Sequence, residues 1–103
     1  MTEPSDFDRL VGKVAGAIFS DITVLFPQPP LMLVPALTFK VRRTLEPITA
    51  LRLLSVEQKA ELAKDIQISI VPMLFSFEIS PEVIEKITPT IESAAFKELM
   101  QAA

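Results

Sequence analysis

The chain has 103 residues, half of them hydrophobic, with a formal net charge of −3 and no Cys, His, Trp or Tyr. Without Cys, disulfides and the usual structural zinc sites are excluded, and without His so are Ser–His and Cys–His nucleophile pairs. An acidic chain whose aromatic residues are all Phe also lacks the usual features of a nucleic-acid-binding surface, so we expect no nucleic-acid partner.

The length and the apolar content together predict one domain with an excess of apolar surface. We expect a single domain over 1–103, with residues 1–4 flexible. A domain of this size has too little interior for so many apolar side chains, so some must lie on the surface, in a partner interface or against lipid. The acidic, polar start has no secretory-signal pattern, and we therefore expect a cytoplasmic protein.

The first predicted helix spans about 5–25. Ser5 is placed to cap it, and the helix dipole favours the acidic residues of its first turn. Apolar residues then recur at helical spacing on one side, namely Phe7, Leu10, Val11, Val14, Ile18, Ile22 and Leu25. Gly12, Gly16 and Ser20 form a stripe of small residues, for which we expect a close helix crossing inside the fold or, alternatively, a contact with a partner.

The segment 22–39 contains no charged residue and is near the lower length limit of a membrane span. It also contains four prolines, which remove backbone donors and break a straight helix: Pro27, Pro29, Pro30 and Pro35. We therefore do not expect a simple transmembrane helix. A surface that binds lipid or another apolar ligand remains an alternative for this segment.

Three short segments, near 37–42, 66–70 and 75–79, alternate like strands but also fit a helical repeat. Tight hairpins favour turns that contain Asn-Gly, Asp-Gly or Gly-Gly, and the two glycines of this chain both lie inside the first predicted helix. We therefore predict an all-α fold, a compact bundle of four to five helices with proline-marked breaks. An α+β fold with strands at the three segments is the alternative.

Two further helix starts are marked by serine caps. Ser55 and Gln58 match a capping box, and Ser80 precedes Pro81, a residue common in the first turn. Prolines also occur inside both predicted helices. Pro72 predicts a kink near Ile68, and Pro89 predicts a kink or a new start capped by Thr88.

Two sets of residues are candidates for a partner interface, together with Gly12 and Gly16. Pro89, Phe96 and Met100 share the side of the last helix opposite its predicted core residues, and an apolar helix with two such sides is either central or shared with a partner. Arg42 and Arg43 belong to a basic centre between acidic flanks, which can match charges within the chain or between subunits.

No catalytic pair, metal-ligand spacing or cofactor-binding loop is found in the sequence, so we expect no catalytic residues, metal or cofactor. The sequence predicts a non-enzymatic small assembly, adaptor or scaffold subunit, which buries apolar helix faces against itself or another protein. The alternative is a protein that binds an apolar ligand or a membrane surface through 22–39.

Overall fold

The computed structural model describes residues 5–48 and 50–101, and for Arg52 the backbone. The predicted flexibility of 1–4 concerns residues outside these ranges. Four α-helices follow one another along the chain, with a short 3-10 helix (Leu51–Leu53) between the second and third: α1 (Asp6–Leu25), α2 (Leu33–Leu45), α3 (Val56–Ser76) and α4 (Pro81–Gln101). The described residues contain no strand, so the all-α prediction is confirmed.

The alternative with strands is wrong. Segment 37–42 lies inside α2, 66–70 lies inside α3, and 75–79 covers the end of α3 and the turn after it. The four-residue repeat decides the conformation, because it brings Leu37 and Val41 onto one side of α2, where both are fully buried. Alternation of apolar and polar residues over a few positions does not stabilise a strand unless a second strand is present to pair with it.

The three predicted serine caps are present. The Ser5 side chain accepts a hydrogen bond from the backbone N–H of Asp8 at 3.1 Å, and Ser80 accepts one from Val83 at 3.3 Å. Ser55 and Gln58 form the complete capping box, each side chain bonded to the backbone N–H of the other. These bonds satisfy N–H groups that the first turn of a helix leaves free.

The internal prolines do not end their helices. α3 continues through Pro72 and α4 through Pro89, and both proline side chains are exposed. A proline on the solvent side lets water bind the carbonyl that loses its N–H partner. The Thr88 hydroxyl donates to the carbonyl oxygen of Ile84 at 2.7 Å, so Thr88 is part of a continuous helix and not the cap of a new one.

The helices form two layers. α1 packs against α2 and α4, and α3 packs against the same two helices, whereas the pairs α1/α3 and α2/α4 are not in contact within the described residues. The four helices therefore form a closed ring, and we refer to the neighbouring pairs α1/α4 and α2/α3 as its two layers. The Cα atoms extend over 37 × 37 × 21 Å, and the short dimension is about two helix diameters.

α1 and α2 run in opposite directions, because Asp8, in the first turn of α1, contacts Arg42, in the last turn of α2. At the next junction, Ile48, just beyond the end of α2, borders a groove with Leu62 of the second turn of α3. Four residues connect α3 to α4, so the end of α3 lies near the start of α4.

The core is wholly apolar, because every buried residue in the described ranges is Ala, Val, Leu or Ile. Each helix contributes a row spaced three or four residues apart, as in Val14, Ile18 and Ile22 of α1. Burying one such large side chain contributes about 1.5–3 kcal/mol to folding. These rows fix which side of each helix faces inward.

The close crossing expected at Gly12 and Gly16 is not present inside the fold. Both glycines are exposed, and a Cβ atom added at either would meet no atom within 4 Å. The apolar row of α1 determines this result, because it turns the opposite side of the helix, with the small residues, towards solvent. The glycines therefore reduce helix propensity without any packing gain within the chain.

We predict that Gly16→Ala raises the free energy of unfolding by up to about 1 kcal/mol, because Ala loses less backbone entropy in a helix and has room here. Urea denaturation at neutral pH measures the change. Ala60→Gly, at an exposed position of α3, is the matched control and should lower the stability by a similar amount. A less stable Gly16→Ala protein would contradict the open environment of this glycine.

Candidate interaction surface

The exposed large apolar side chains are concentrated on the α2–α3 layer and the connections around it. Of the eleven found among the residues that the structure describes, eight lie between positions 31 and 75, whereas α4 contributes Met100 and α1 contributes two residues of its last turn. The eleven are Val24, Leu25, Leu31, Met32, Val34, Phe39, Leu53, Val56, Ile68, Phe75 and Met100. The outward sides of α1 and α4 are otherwise mainly polar or small, as at Lys13, Ser20, Lys86 and Lys97.

The outward side of α2 is apolar in its first half and basic in its second. Pro35, Phe39 and Arg43 follow one another at four-residue intervals and are all exposed. Phe39 is 56% exposed, and the guanidinium carbon of Arg43 lies 5.8 Å from the centre of its ring. This cation–π contact holds Arg43 along the helix surface.

The outward side of α3 is charged in its first half and apolar in its second. The exposed charged residues are Glu57, Glu61, Lys64 and Asp65, and the exposed apolar residues are Ile68, Pro72 and Phe75. Ile68 is 59% exposed and Phe75 is 51% exposed. Glu61 and Asp65 form no ion pair with any described residue, so their charges are available to a partner.

α2 and α3 pack against each other. We use the term α2–α3 face for the outward residues of these two helices, Pro35, Phe39, Arg43, Glu61, Asp65, Ile68 and Phe75. On each helix, one half of the α2–α3 face is apolar and the other half is charged.

A shallow, open groove borders the charged half of α3. Its lining combines apolar residues with polar and acidic ones: Ile48, Leu54, Leu62, Gln58, Glu61 and Asp65. Within the described ranges, no group of three or more acidic side chains is arranged to hold a metal ion, and no buried residue is polar.

The residues predicted at an interface lie on three helices. Gly12 and Gly16 are exposed on α1, Arg42 and Arg43 are on α2, and Pro89 and Met100 are exposed on α4. Phe96 is only partly exposed and packs against the core, so its predicted position opposite the core is wrong. α4 packs against both α1 and α3, and a helix with two neighbours buries a wider arc than the sequence pattern suggested.

Arg42 and Arg43 have different surroundings although they are adjacent. The Arg42 guanidinium donates to Oδ1 of Asp8 at 2.7 Å and lies 5.6 Å from the ring centre of Phe7. It therefore joins α1 to α2 within the chain. The hydrogen bond from Arg42, with a second from Ser5, lowers the pKa of Asp8 below its ordinary value of 3.8. Arg43 points away from α1, on the α2–α3 face.

We predict that Asp8→Asn lowers the free energy of unfolding only at pH values at which Asp8 is ionised in the native protein. The pKa of Asp8 is lower in the folded chain than in the unfolded chain, so its contribution is complete above about pH 5 and is lost as the pH falls below 3.8. Urea denaturation at several pH values measures this difference. In an Arg42→Met background the pH dependence of the difference should largely disappear, and its persistence would contradict the role of Arg42.

Periodicity alone does not identify Phe39 and Ile68 as exposed, but their positions relative to the buried residues do. Each is a large apolar residue two positions after a buried one, Leu37 or Ile66, and therefore lies on the solvent side of its helix. Such residues identify a second, outward apolar side only after the inward rows are assigned.

Comparison with known proteins gives no relative from which a function can be transferred. The chain matches no protein-family model, no curated protein and no solved structure. None of the helices in the described ranges has the length and apolarity needed to cross a bilayer.

Proposed function

We propose that the protein is a non-enzymatic assembly, adaptor or scaffold subunit, which acts in the cytoplasm by burying apolar helix surface against a protein partner. The observation that carries the proposal is the one-sided distribution of exposed apolar side chains. Phe39, Ile68 and Phe75 are each more than half exposed on the same layer. The outward sides of the two helices in the other layer are mainly polar.

The α2–α3 face is unfavourable in water and well suited to contact with another protein. Large apolar side chains grouped on one surface mark interaction sites in soluble proteins. The phenylalanines and Ile68 project from helices, which hold them in place at little further entropic cost on binding. Unpaired charges beside the apolar half can select and orient a partner.

A second candidate function is binding of a membrane surface or another apolar ligand through 22–39. The specific observation is that Leu31 is 97% exposed and Met32 is 64% exposed, at the end of the bundle where no charge occurs between Asp21 and Lys40. However, the chain has a net charge of −3, so anionic lipid would repel it. We therefore favour a protein partner.

Ile68→Lys tests the proposed function. We expect it to weaken association about tenfold to a hundredfold, because a large apolar side chain is replaced by a charge within the contact. The free chain should stay folded, because Ile68 is exposed and Lys is a good helix former. The measurements are sedimentation velocity for self-association and quantitative mass spectrometry of proteins captured from cells that produce the chain.

Met100→Lys is the matched control, an exposed apolar position on the other layer, and it should leave association unchanged. Equal loss with both variants would contradict the role of the α2–α3 layer. A wild-type chain that neither self-associates nor retains a partner in an Ile68-dependent way, and that floats with liposomes in a Leu31-dependent way, would favour the second candidate instead.

A further inference from the structure

We infer that the groove beside the start of α3 binds a basic side chain of the protein partner, an arginine or a lysine whose aliphatic part lies on the apolar residues of the groove. The inference rests on the proposed function and specifies the chemistry of its partner. It follows from the lining of the groove, in which apolar residues lie next to two carboxylates that have no ion-pair partner among the described residues.

The apolar residues of this groove form its floor, and the acidic residues form its rim. Leu62 is 6% exposed, and Ile48 and Leu54 are partly buried and pack against the core. Glu61 and Asp65, in contrast, are exposed. A side chain that enters the groove therefore contacts apolar groups inside it and carboxylates at its opening.

The two rim carboxylates lie on one side of α3. Glu61 and Asp65 are four positions apart, which places them one helical turn from each other. The exposed Lys64 is on the same helix, but it does not line the groove and forms no ion pair with either acid. A cation at the rim is therefore attracted by both negative charges.

The size of the groove favours a single side chain over a small-molecule ligand. Its volume is about 210 Å³, whereas pockets that enclose a drug-sized ligand have about 300–1,000 Å³. Arginine and lysine place their aliphatic part on apolar surface and keep the charged end in a polar environment. An acidic side chain would be repelled by the rim, and an apolar one would remove water from the carboxylates without supplying a counter-charge.

One wall of the groove is held in place by the cap of α3. The side-chain oxygen of Gln58 accepts a hydrogen bond from the backbone N–H of Ser55 at 2.8 Å, and the Ser55 hydroxyl accepts one from the backbone N–H of Gln58 at 3.1 Å. Gln58 lines the groove beside the two acids. Because the capping box fixes this wall before a partner arrives, little further ordering is needed on binding.

An NMR titration with a designed peptide tests the inference on the full chain. The probe is an alanine-based helix of about 15 residues, the length at which such peptides become helical in water, with a leucine and an arginine four positions apart. We expect saturable methyl shifts at Leu54 and Leu62, with a dissociation constant on the order of 100 μM. The same peptide with glutamine in place of arginine should bind at least about tenfold more weakly.

A pair of double variants separates recognition at the groove from the net charge of the chain. Glu61→Gln with Asp65→Asn removes both rim charges with little change in shape, and it should weaken binding of the arginine peptide about tenfold. Glu82→Gln with Glu85→Gln removes the same amount of charge from exposed positions of α4, and it should change binding less than about twofold, since salt screens distant charges. Circular dichroism checks that both variants are helical.

Equal weakening by the two double variants would overturn the inference, because the attraction would then come from the net charge. Shifts that do not saturate, shifts centred outside the groove, or a glutamine peptide that binds as tightly as the arginine peptide would overturn it as well.

The same variants distinguish a failure of this inference from a failure of the proposed function. If Ile68→Lys weakens association of the chain but neutralising Glu61 and Asp65 does not, the proposed function stands and the inference about its partner is wrong. If neither change affects association while the peptide titration gives the expected result, the proposed function is wrong and the groove binds basic side chains without it.

Discussion

The structure depends on the packing of the apolar rows, which place an apolar residue every three or four positions on one side of each helix. Because every buried residue of the described chain is apolar, no buried polar pair fixes the arrangement of the helices. Close packing of branched side chains such as Ile18, Leu37 and Ile91 has this role instead. Because the apolar rows face inward, the residues on the opposite side of each helix are exposed to solvent.

The two layers use their outward sides differently, and this asymmetry connects the packing to the proposed function. α1 and α4 each have one apolar side, and their outward sides carry mainly charges and small residues. α2 and α3 have a second apolar set, in which Phe39 and Ile68 are more than half exposed. Keeping such residues in water has no advantage for the folded monomer, so a contact that covers them explains their placement better than folding does.

The sequence was sufficient for most of the fold because its signals are local. The predicted first helix, 5–25, agrees with α1, and the serine at 55 and the glutamine at 58 form the capping box that their spacing indicated. The position of Phe96 was not predictable in this way, because it depends on how many neighbours α4 has. The sequence was also insufficient to predict that α3 and α4 continue through Pro72 and Pro89, because a helix tolerates an internal proline where water reaches the carbonyl that lost its N–H partner.

The candidate surface could be predicted only in part. The excess of apolar residues correctly indicated that some are exposed, but not at which positions. The glycine stripe was assigned to a helix crossing, and Phe96 to an interface, from the pattern of a single helix in each case. The α2–α3 face combines two neighbouring helices, so that Phe39 and Ile68 belong to it although 29 positions separate them in the chain. This relation between helices is present in the fold and not in any one segment.

The most direct test of the α2–α3 face is NMR of amide and methyl groups of the labelled chain, recorded in dilute solution, in concentrated solution and in an extract of the cells that produce it. The account predicts that the changes between these conditions are largest at Phe39, Ile68 and Phe75, and small at Lys13, Lys86 and Lys97 on the other layer. Changes concentrated on α1 and α4, or a spectrum that is the same in all three conditions, would contradict it.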